Sequence, residues 1–220
     1  MKNEEDLNCK VLIICEGNLD LKVLSKVISD NKIHNCKVIT TTLKNGGGID
    51  KLGEKLNLVK LNEDFLQNVE HVLVVGDNDN VGAEARLKKQ IQIASKSTPP
   101  GGRVTVDFLE HPPKNKTISF TLLPKNSFGC IETILVERFF NKWPSLRSPV
   151  ESFKTSMPSV SWSEPQSSKM RLECIVASTC DQMPDVAVWN HWQKKYDYHV
   201  PIDGTDFEDL ASYIKQLATE

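Results

Sequence analysis

The sequence has no long apolar run, no closely paired cysteines and no large excess of charge of either sign. Its 220 residues carry 27 Lys and Arg against 29 Asp and Glu, a formal net charge of −2, whereas nucleic-acid-binding domains are often strongly basic. This balance argues against a histone-like coating protein, but not against an enzyme that engages nucleic acid through one basic face. No apolar run approaches the ~20 residues that cross a bilayer, so no membrane partner is expected.

The cysteines and the amino terminus predict the compartment. None of the six cysteines forms a Cys-x-x-Cys pair, and several lie inside apolar runs, where cysteine behaves as a small buried hydrophobe. The first residues, MKNEEDLNCK, lack the apolar region of a secretory signal. We therefore expect a reduced, cytoplasmic protein with neither a disulfide framework nor a zinc site.

Three strand–turn–helix units follow one another in the first half of the chain. KVLIIC, CKVITT and EHVLVV are apolar, branched runs typical of buried strands. Each precedes a segment with apolar residues at helical spacing, in the order LDLKVLSKVI, IDKLGEKLNLVKL and VGAEARLKKQI. This alternation predicts an α/β fold with a mainly parallel sheet flanked by helices.

The second half of the chain is less regular. RVTVDFLEHP and KTISFTLLP predict two more strands, with a hairpin as one arrangement, and GCIETILVERFF predicts a helix. We expect a single domain over 1–220, made of an α/β core (1–142), an irregular Ser- and Pro-rich segment (143–168) and a helical C-terminal part (169–220).

Three acids directly follow two of the predicted strands. Glu16 comes after VLIIC, and Asp77 and Asp79 come after VLVV. Ligands bind at the carboxyl ends of parallel strands, and Mg²⁺ favours a few carboxylates together with water and phosphate oxygens. Each acid also has a plainer explanation, a solvated turn at Glu16 and an Asx-rich turn at DNDN, but their joint placement favours a metal site.

The two stretches resemble the Toprim fold. VLIICEG and VLVVGDNDNVGAEA match its glutamate after the first strand and its Asp-x-Asp-x-x-Gly after a later strand, with Gly82 in the last position. The resemblance implies a Rossmann-like sheet. It also implies that the acids hold Mg²⁺ or Mn²⁺ near a phosphodiester.

The sequence is similar, more narrowly, to the OLD-type (overcoming lysogenization defect) Toprim nucleases and to standalone Toprim proteins of unassigned function. Asp20, four residues after Glu16, matches a second acid of their first motif. Glu132 matches a glutamate early in a later helix, and Lys169 matches a lysine that opens a further helix. Each residue has an alternative: Asp20 and Glu132 as acids favoured by a helix dipole, and Lys169 as a solvated lysine at a helix start.

The resemblance implies two-metal hydrolysis of nucleic acid. One ion would be held by Glu16, Asp77 and Asp79, and the other by Asp20 and Glu132, while Lys169 would neutralise charge on the phosphate. The expected catalytic residues are therefore Glu16, Asp77, Asp79, Glu132 and Lys169.

Two other functions stay open at this stage. The first is a non-catalytic module that binds metal or nucleic acid and acts with a protein partner such as a separate ATPase, because OLD proteins fuse an ATPase that this sequence lacks. The second is a phosphatase-like or receiver-like α/β domain that uses Asp77 as a nucleophile.

Overall fold

The structure is a computed structural model that describes most of the chain. The described ranges are 6–42, 47–94, 103–106 (backbone only), 116–157, 161–179 and 202–220. Much of the predicted helical C-terminal part, including VAVWNHWQKKY (186–196), lies outside them.

The helices and strands alternate in the first half of the chain, and helices alone follow the fifth strand. The strands are β1 (Val11–Cys15), β2 (Cys36–Thr40), β3 (His71–Asp77), β4 (Arg103–Val106) and β5 (Lys116–Leu123). The α-helices are α1 (Asn18–Asp30), α2 (Leu52–Val59), α3 (Glu63–Asn68), α4 (Ala83–Ala94), α5 (Ile131–Lys142), α6 (Arg147–Ser156), α7 (Glu164–Thr179) and α8 (Thr205–Thr219). Single 3₁₀ turns precede α2 (Ile49–Lys51) and α6 (Pro144–Leu146).

The strands form one sheet in the order β2-β1-β3-β5-β4. β1 runs parallel to both β2 and β3, with Val11 opposite Cys36 and His71. β5 runs in the direction of β3, and β4 is antiparallel to β5 at the edge. This confirms the predicted α/β fold class, a mainly parallel sheet flanked by helices with a helical C-terminal part. The antiparallel pair also confirms the strand pairing of the expected hairpin, whose connection lies outside the described residues.

Apolar side chains of the central strands pack against helices. Leu12 and Ile14 of β1 form one cluster with Val72 and Val74 of β3 and with residues of α2 and α4. All five residues of β1 are buried, as its continuous apolar run predicts. Full burial of a side chain of this size contributes about 1.5–3 kcal/mol.

The chain divides into two compact units. The first comprises Met1–Gly76, Val81–Leu122 and Asp209–Glu220, and so contains the sheet and α1–α4. The second comprises Asp77–Asn80 and Leu123–Glu208. In the second unit α5 and α6 both pack against α7, and Arg171 of α7 binds Glu151 of α6 at 2.9 Å.

The prediction of an irregular segment over 143–168 is wrong for most of its length. Helix α6 and the first turn of α7 lie within it, and only 158–160 are outside the described residues. The Ser and Pro content is misleading because Pro144, Pro149 and Pro165 all stand in first turns, where the missing backbone N–H costs little. Within the described ranges, no helix is long and apolar enough to cross a membrane.

Candidate functional site

The carboxyl ends of β1 and β3 bring Glu16 beside Gly76. The two strands pair in parallel with Cys15 opposite Val75, so the next residues, Glu16 and Gly76, leave the sheet at the same edge. Glu16 Oε1 lies 3.4 Å from the place that a Cβ on Gly76 would occupy. Gly76 therefore approaches this carboxylate closely, and it is bonded directly to Asp77.

The glycine-rich segment after β2 holds Glu16 by hydrogen bonds. The Ile49 N–H donates to Glu16 Oε2 at 3.1 Å. The Thr41 hydroxyl, on a residue only 1% exposed, donates to the Glu16 carbonyl at 3.0 Å and accepts from the Gly48 N–H at 3.0 Å. Gly48 has a φ of +95°, a conformation that favours glycine. The described part of this turn fixes the orientation of Glu16.

Asp20 stands in the first turn of α1 and caps that helix. Its Oδ2 accepts from the Gly17 N–H at 2.8 Å, across the start of the helix. This is the reciprocal half of a capping box, and a negative charge in the first turn is also favoured by the helix dipole. The helix-stabilising alternative for Asp20 is thus realised in the structure.

The turn after β3 belongs to the second unit and carries the other two strand-end acids. Asp77 is the last residue of β3 and is half-buried. Asp79 follows the strand, and its Oδ1 accepts from the Asn80 side-chain amide at 3.0 Å.

Glu132 and Lys169 are brought together in the second unit. Glu132 is the second residue of α5 and is only 8% exposed. Lys169 Nζ lies 3.9 Å from Glu132 Oε1, and its side chain is 58% exposed. The predicted helix start at Lys169 is wrong, because α7 begins at Glu164 and Lys169 is its sixth residue. The reason is again Pro165, which the first turn of α7 accommodates.

The pKa of the Cys130 thiol is affected by two of the acids. Burial raises the pKa of Cys130 from 9.0 to about 12, and the charges of Glu132 and Asp77 raise the pKa further, against a hydrogen bond to Thr133 that lowers it. Both carboxylates therefore act on this one thiol and disfavour its thiolate form. The sequence did not single out Cys130.

The donor atoms fit a hard divalent cation in kind but not as a complete set. Carboxylate oxygens are the ligands that Mg²⁺ and Mn²⁺ prefer. Among the residues that the structure describes, however, no three His, Cys, Asp or Glu side chains are grouped so as to hold a metal ion. Mg²⁺ is commonly held by one or two carboxylates, with water and substrate phosphates completing its shell, and that mode needs no preassembled cluster.

A comparison with protein families gives one match. Residues 10–200 match a family described as "Protein of unknown function (DUF3226)". Comparisons with curated proteins and with solved structures give no match. Because the family match spans most of the 220 residues, the chain belongs to the DUF3226 family.

Proposed function

We propose that this protein hydrolyses phosphodiester bonds of nucleic acid with the help of Mg²⁺ or Mn²⁺, as a Toprim protein of the OLD type, in the cytoplasm. The observation that carries the proposal is the position of Glu16. Its carboxylate lies at the carboxyl end of β1 against Gly76, the residue that directly precedes Asp77-x-Asp79. The two motifs that carry the resemblance therefore leave the sheet at one edge, the edge where ligands of parallel sheets bind.

The acids and the lysine have separate roles in this proposal. Glu16, Asp77 and Asp79 would hold one divalent ion, and Glu132 would help to hold a second, as the resemblance implies. The resemblance also gives Asp20 as a ligand of the second ion, but its carboxylate already caps α1. When bound, the ions would supply Lewis-acid activation of water and stabilisation of the leaving oxygen.

Lys169 is suited to the phosphate. Its ammonium lies 3.9 Å from Glu132, yet its side chain is mostly exposed, so it can meet a ligand without a rearrangement of the helix. A lysine in this position would neutralise charge that develops on a phosphate.

The alternative function is a non-catalytic module that acts with a protein partner such as a separate ATPase. Two internal contacts favour it: Asp20 caps α1, and Glu132 pairs with Lys169. Acids that serve the fold in this way need no metal. The two functions differ in whether the isolated chain cleaves nucleic acid.

Cleavage of labelled DNA and RNA oligonucleotides tests the proposal. The wild type should cleave in Mg²⁺ or Mn²⁺ and not in excess EDTA. Glu16→Gln and Asp79→Asn should each lower the rate by about a hundredfold or more, since loss of even an indirect partner of a metal ligand costs roughly 10- to 100-fold.

The matched controls are Glu54→Gln and Asp30→Asn. They make the same chemical changes at acids with surface partners: Glu54 pairs with Lys51, the residue before α2, and Asp30 pairs with Lys26 of α1. Both variants should keep the wild-type rate. Equal rates in all four variants would assign the cleavage to a contaminant or to other residues. No cleavage by the wild type, with either metal and either nucleic acid, would leave the partner-dependent module as the function.

A further inference from the structure

Asn78, the residue between the two aspartates of Asp77-x-Asp79, makes four hydrogen bonds to one distant segment. Its side-chain amide donates to the carbonyls of Pro124 and Ser127, both at 3.0 Å. Its backbone N–H donates to the Leu123 carbonyl at 2.8 Å, and its own carbonyl accepts from the Gly129 N–H at 2.8 Å. All of these partners belong to the same compact unit as Asn78.

This pattern differs from the usual role of asparagine in a turn. A turn asparagine commonly bonds the backbone about two residues further on, whereas the Asn78 amide reaches carbonyls 46 and 49 residues away. An amide group has two N–H donors, and here each carbonyl receives one hydrogen bond from it. Aspartate has the same shape but no N–H to donate.

The segment that Asn78 holds leads directly into the helix that carries Glu132. Gly129, with a φ of +155°, has no room for a side chain, because a Cβ there would lie 2.5 Å from the Thr133 hydroxyl. That hydroxyl accepts from the Cys130 N–H at 3.1 Å and donates to Ser168 at 2.9 Å. Hydrogen bonds thus join Asn78 to Gly129, and the next residue along the chain, Cys130, to Thr133 at the start of α5, which in turn bonds Ser168 of α7.

We propose that Asn78 is a positioning residue, which fixes segment 123–129 and thereby holds Glu132 in place relative to Asp77 and Asp79. The inference rests on the proposed function for its catalytic meaning. The hydrogen-bonded arrangement itself does not depend on that function. Asn78 is not expected to contact substrate, because both donors of its amide bind Pro124 and Ser127.

Amide hydrogen exchange of peptides that cover 123–130 tests the arrangement without any assay of activity. Asn78→Ala removes both amide donors, and Asn78→Asp removes them while it keeps the shape of the side chain. Exchange in 123–130 should become about tenfold faster in both variants, the size expected for the loss of one or two neutral hydrogen bonds. Asn80→Asp adds the same charge to the same turn but leaves the Asn78 amide in place, and exchange there should stay at the wild-type rate.

The kinetic test separates positioning from substrate binding. In Asn78→Ala, kcat for oligonucleotide cleavage should fall about tenfold, while KM stays within about twofold of the wild type and the circular dichroism spectrum is unchanged. Asn57→Ala makes the same substitution at an exposed asparagine of α2. It is the control for nonspecific effects of an Asn-to-Ala change, and its kcat, KM and exchange rates should match those of the wild type.

The exchange and kinetic results separate the structural role of Asn78 from its catalytic role. Wild-type exchange in Asn78→Ala and Asn78→Asp would overturn the inference, and so would faster exchange together with an unchanged kcat. If Asn78→Ala fails to fold, the more conservative Asn78→Asp carries both measurements. If the wild type cleaves nothing, the proposed function fails and the catalytic role of Asn78 fails with it, while the exchange result still decides whether Asn78 holds the segment.

Discussion

At the scale of single residues, the close approach of Gly76 to Glu16 is predicted to matter as much as the carboxylate itself. Gly76 places no side chain against Glu16, while Ile49 and Thr41 hold Glu16 by hydrogen bonds. A side chain at position 76 would stand against this carboxylate and is therefore predicted to disturb its position.

Gly76→Ala should lower metal-dependent cleavage by about tenfold or more while it changes the free energy of unfolding by less than about 1 kcal/mol. The added methyl group would lie at ordinary contact distance, 3.4 Å, from Glu16 Oε1 and from Leu122, so it fits but stands against the carboxylate. Cleavage rates and urea unfolding check the two parts of this prediction.

Gly129→Ala is the comparison for that experiment. The same methyl group would meet the Thr133 hydroxyl at 2.5 Å, on a backbone with a φ of +155°. It should destabilise the protein by about 1–3 kcal/mol. A Gly76→Ala variant as unstable as Gly129→Ala, or as active as the wild type, would contradict the role given to Gly76.

At the scale of helices and strands, the spacing of apolar residues predicted those elements that bury one face or one continuous run. In α4 the buried residues are Ala83, Leu87, Ile91 and Ala94, apolar residues at helical spacing. The order of three strand–helix units sufficed for a parallel sheet, because a crossover helix leads from one parallel strand to the next.

Other elements could not be predicted because their cause is a distant contact or an ambiguous residue. Proline disfavours the interior of a helix but is tolerated in its first turn, so composition alone did not reveal α6 or the true start of α7. Asn78 is visible in the sequence as the middle residue of Asp77-x-Asp79, but its role could not be predicted, because its partners are 46 and 49 residues away. The acids after the strands were predictable by position, but their present partners, such as Gly17 for Asp20, were not.

One contact between elements is predicted to matter for stability. Lys116, the first residue of β5, is only 2% exposed, and its ammonium donates to the carbonyls of Leu66 and Val69 at the end of α3. Lys116→Met keeps the length of the side chain but removes these donors. It should lower the free energy of unfolding by about 2–3 kcal/mol, because hydrogen bonds from charged donors contribute about 1.5–3 kcal/mol.

Lys26→Met is the matched control for Lys116→Met. Lys26 pairs with Asp30 on the surface of α1, and such an i,i+4 pair contributes only about 0.3–0.5 kcal/mol. Urea unfolding of both variants gives the comparison. Similar losses in the two variants would show that Lys116 does not connect α3 to β5 in the way that the structure indicates.

At the scale of the whole molecule, buried thiols couple the stability of the fold to pH. Burial raises the pKa of Cys9 from 9.0 to about 11, with the Cys36 thiolate adding to the effect, and burial raises the pKa of Cys36 to about 11 as well. None of the five cysteines in the described part of the chain forms a disulfide. The folded state therefore retains thiol protons that the unfolded chain releases above pH 9.

The free energy of unfolding should accordingly fall as the pH rises from 9 towards 11. The contribution is fully present below the unfolded pKa of 9.0 and is lost as the pH passes the folded pKa. For Cys9 the loss between pH 8 and pH 10 is about 1 kcal/mol, and it is smaller for the half-buried Cys36.

Urea unfolding at pH 8 and pH 10 measures this effect. The variant Cys9→Ala/Cys36→Ala should lose less stability between the two pH values than the wild type, whatever its absolute stability. An identical loss in both proteins would show that these thiols do not cause the loss of stability between pH 8 and pH 10.

The central claim of the proposed function is that the acids after β1 and β3 bind a divalent metal ion. The measurement that tests the metal site most directly is a Mn²⁺ titration monitored by electron paramagnetic resonance. It is made in the presence of a non-hydrolysable phosphorothioate oligonucleotide. The oligonucleotide supplies the phosphate oxygens that a hard cation needs to complete its shell. We predict that the wild type and Asp30→Asn bind Mn²⁺ and that Asp77→Asn/Asp79→Asn does not. Equal binding by all three proteins, or binding by none, would contradict a metal site at the ends of β1 and β3.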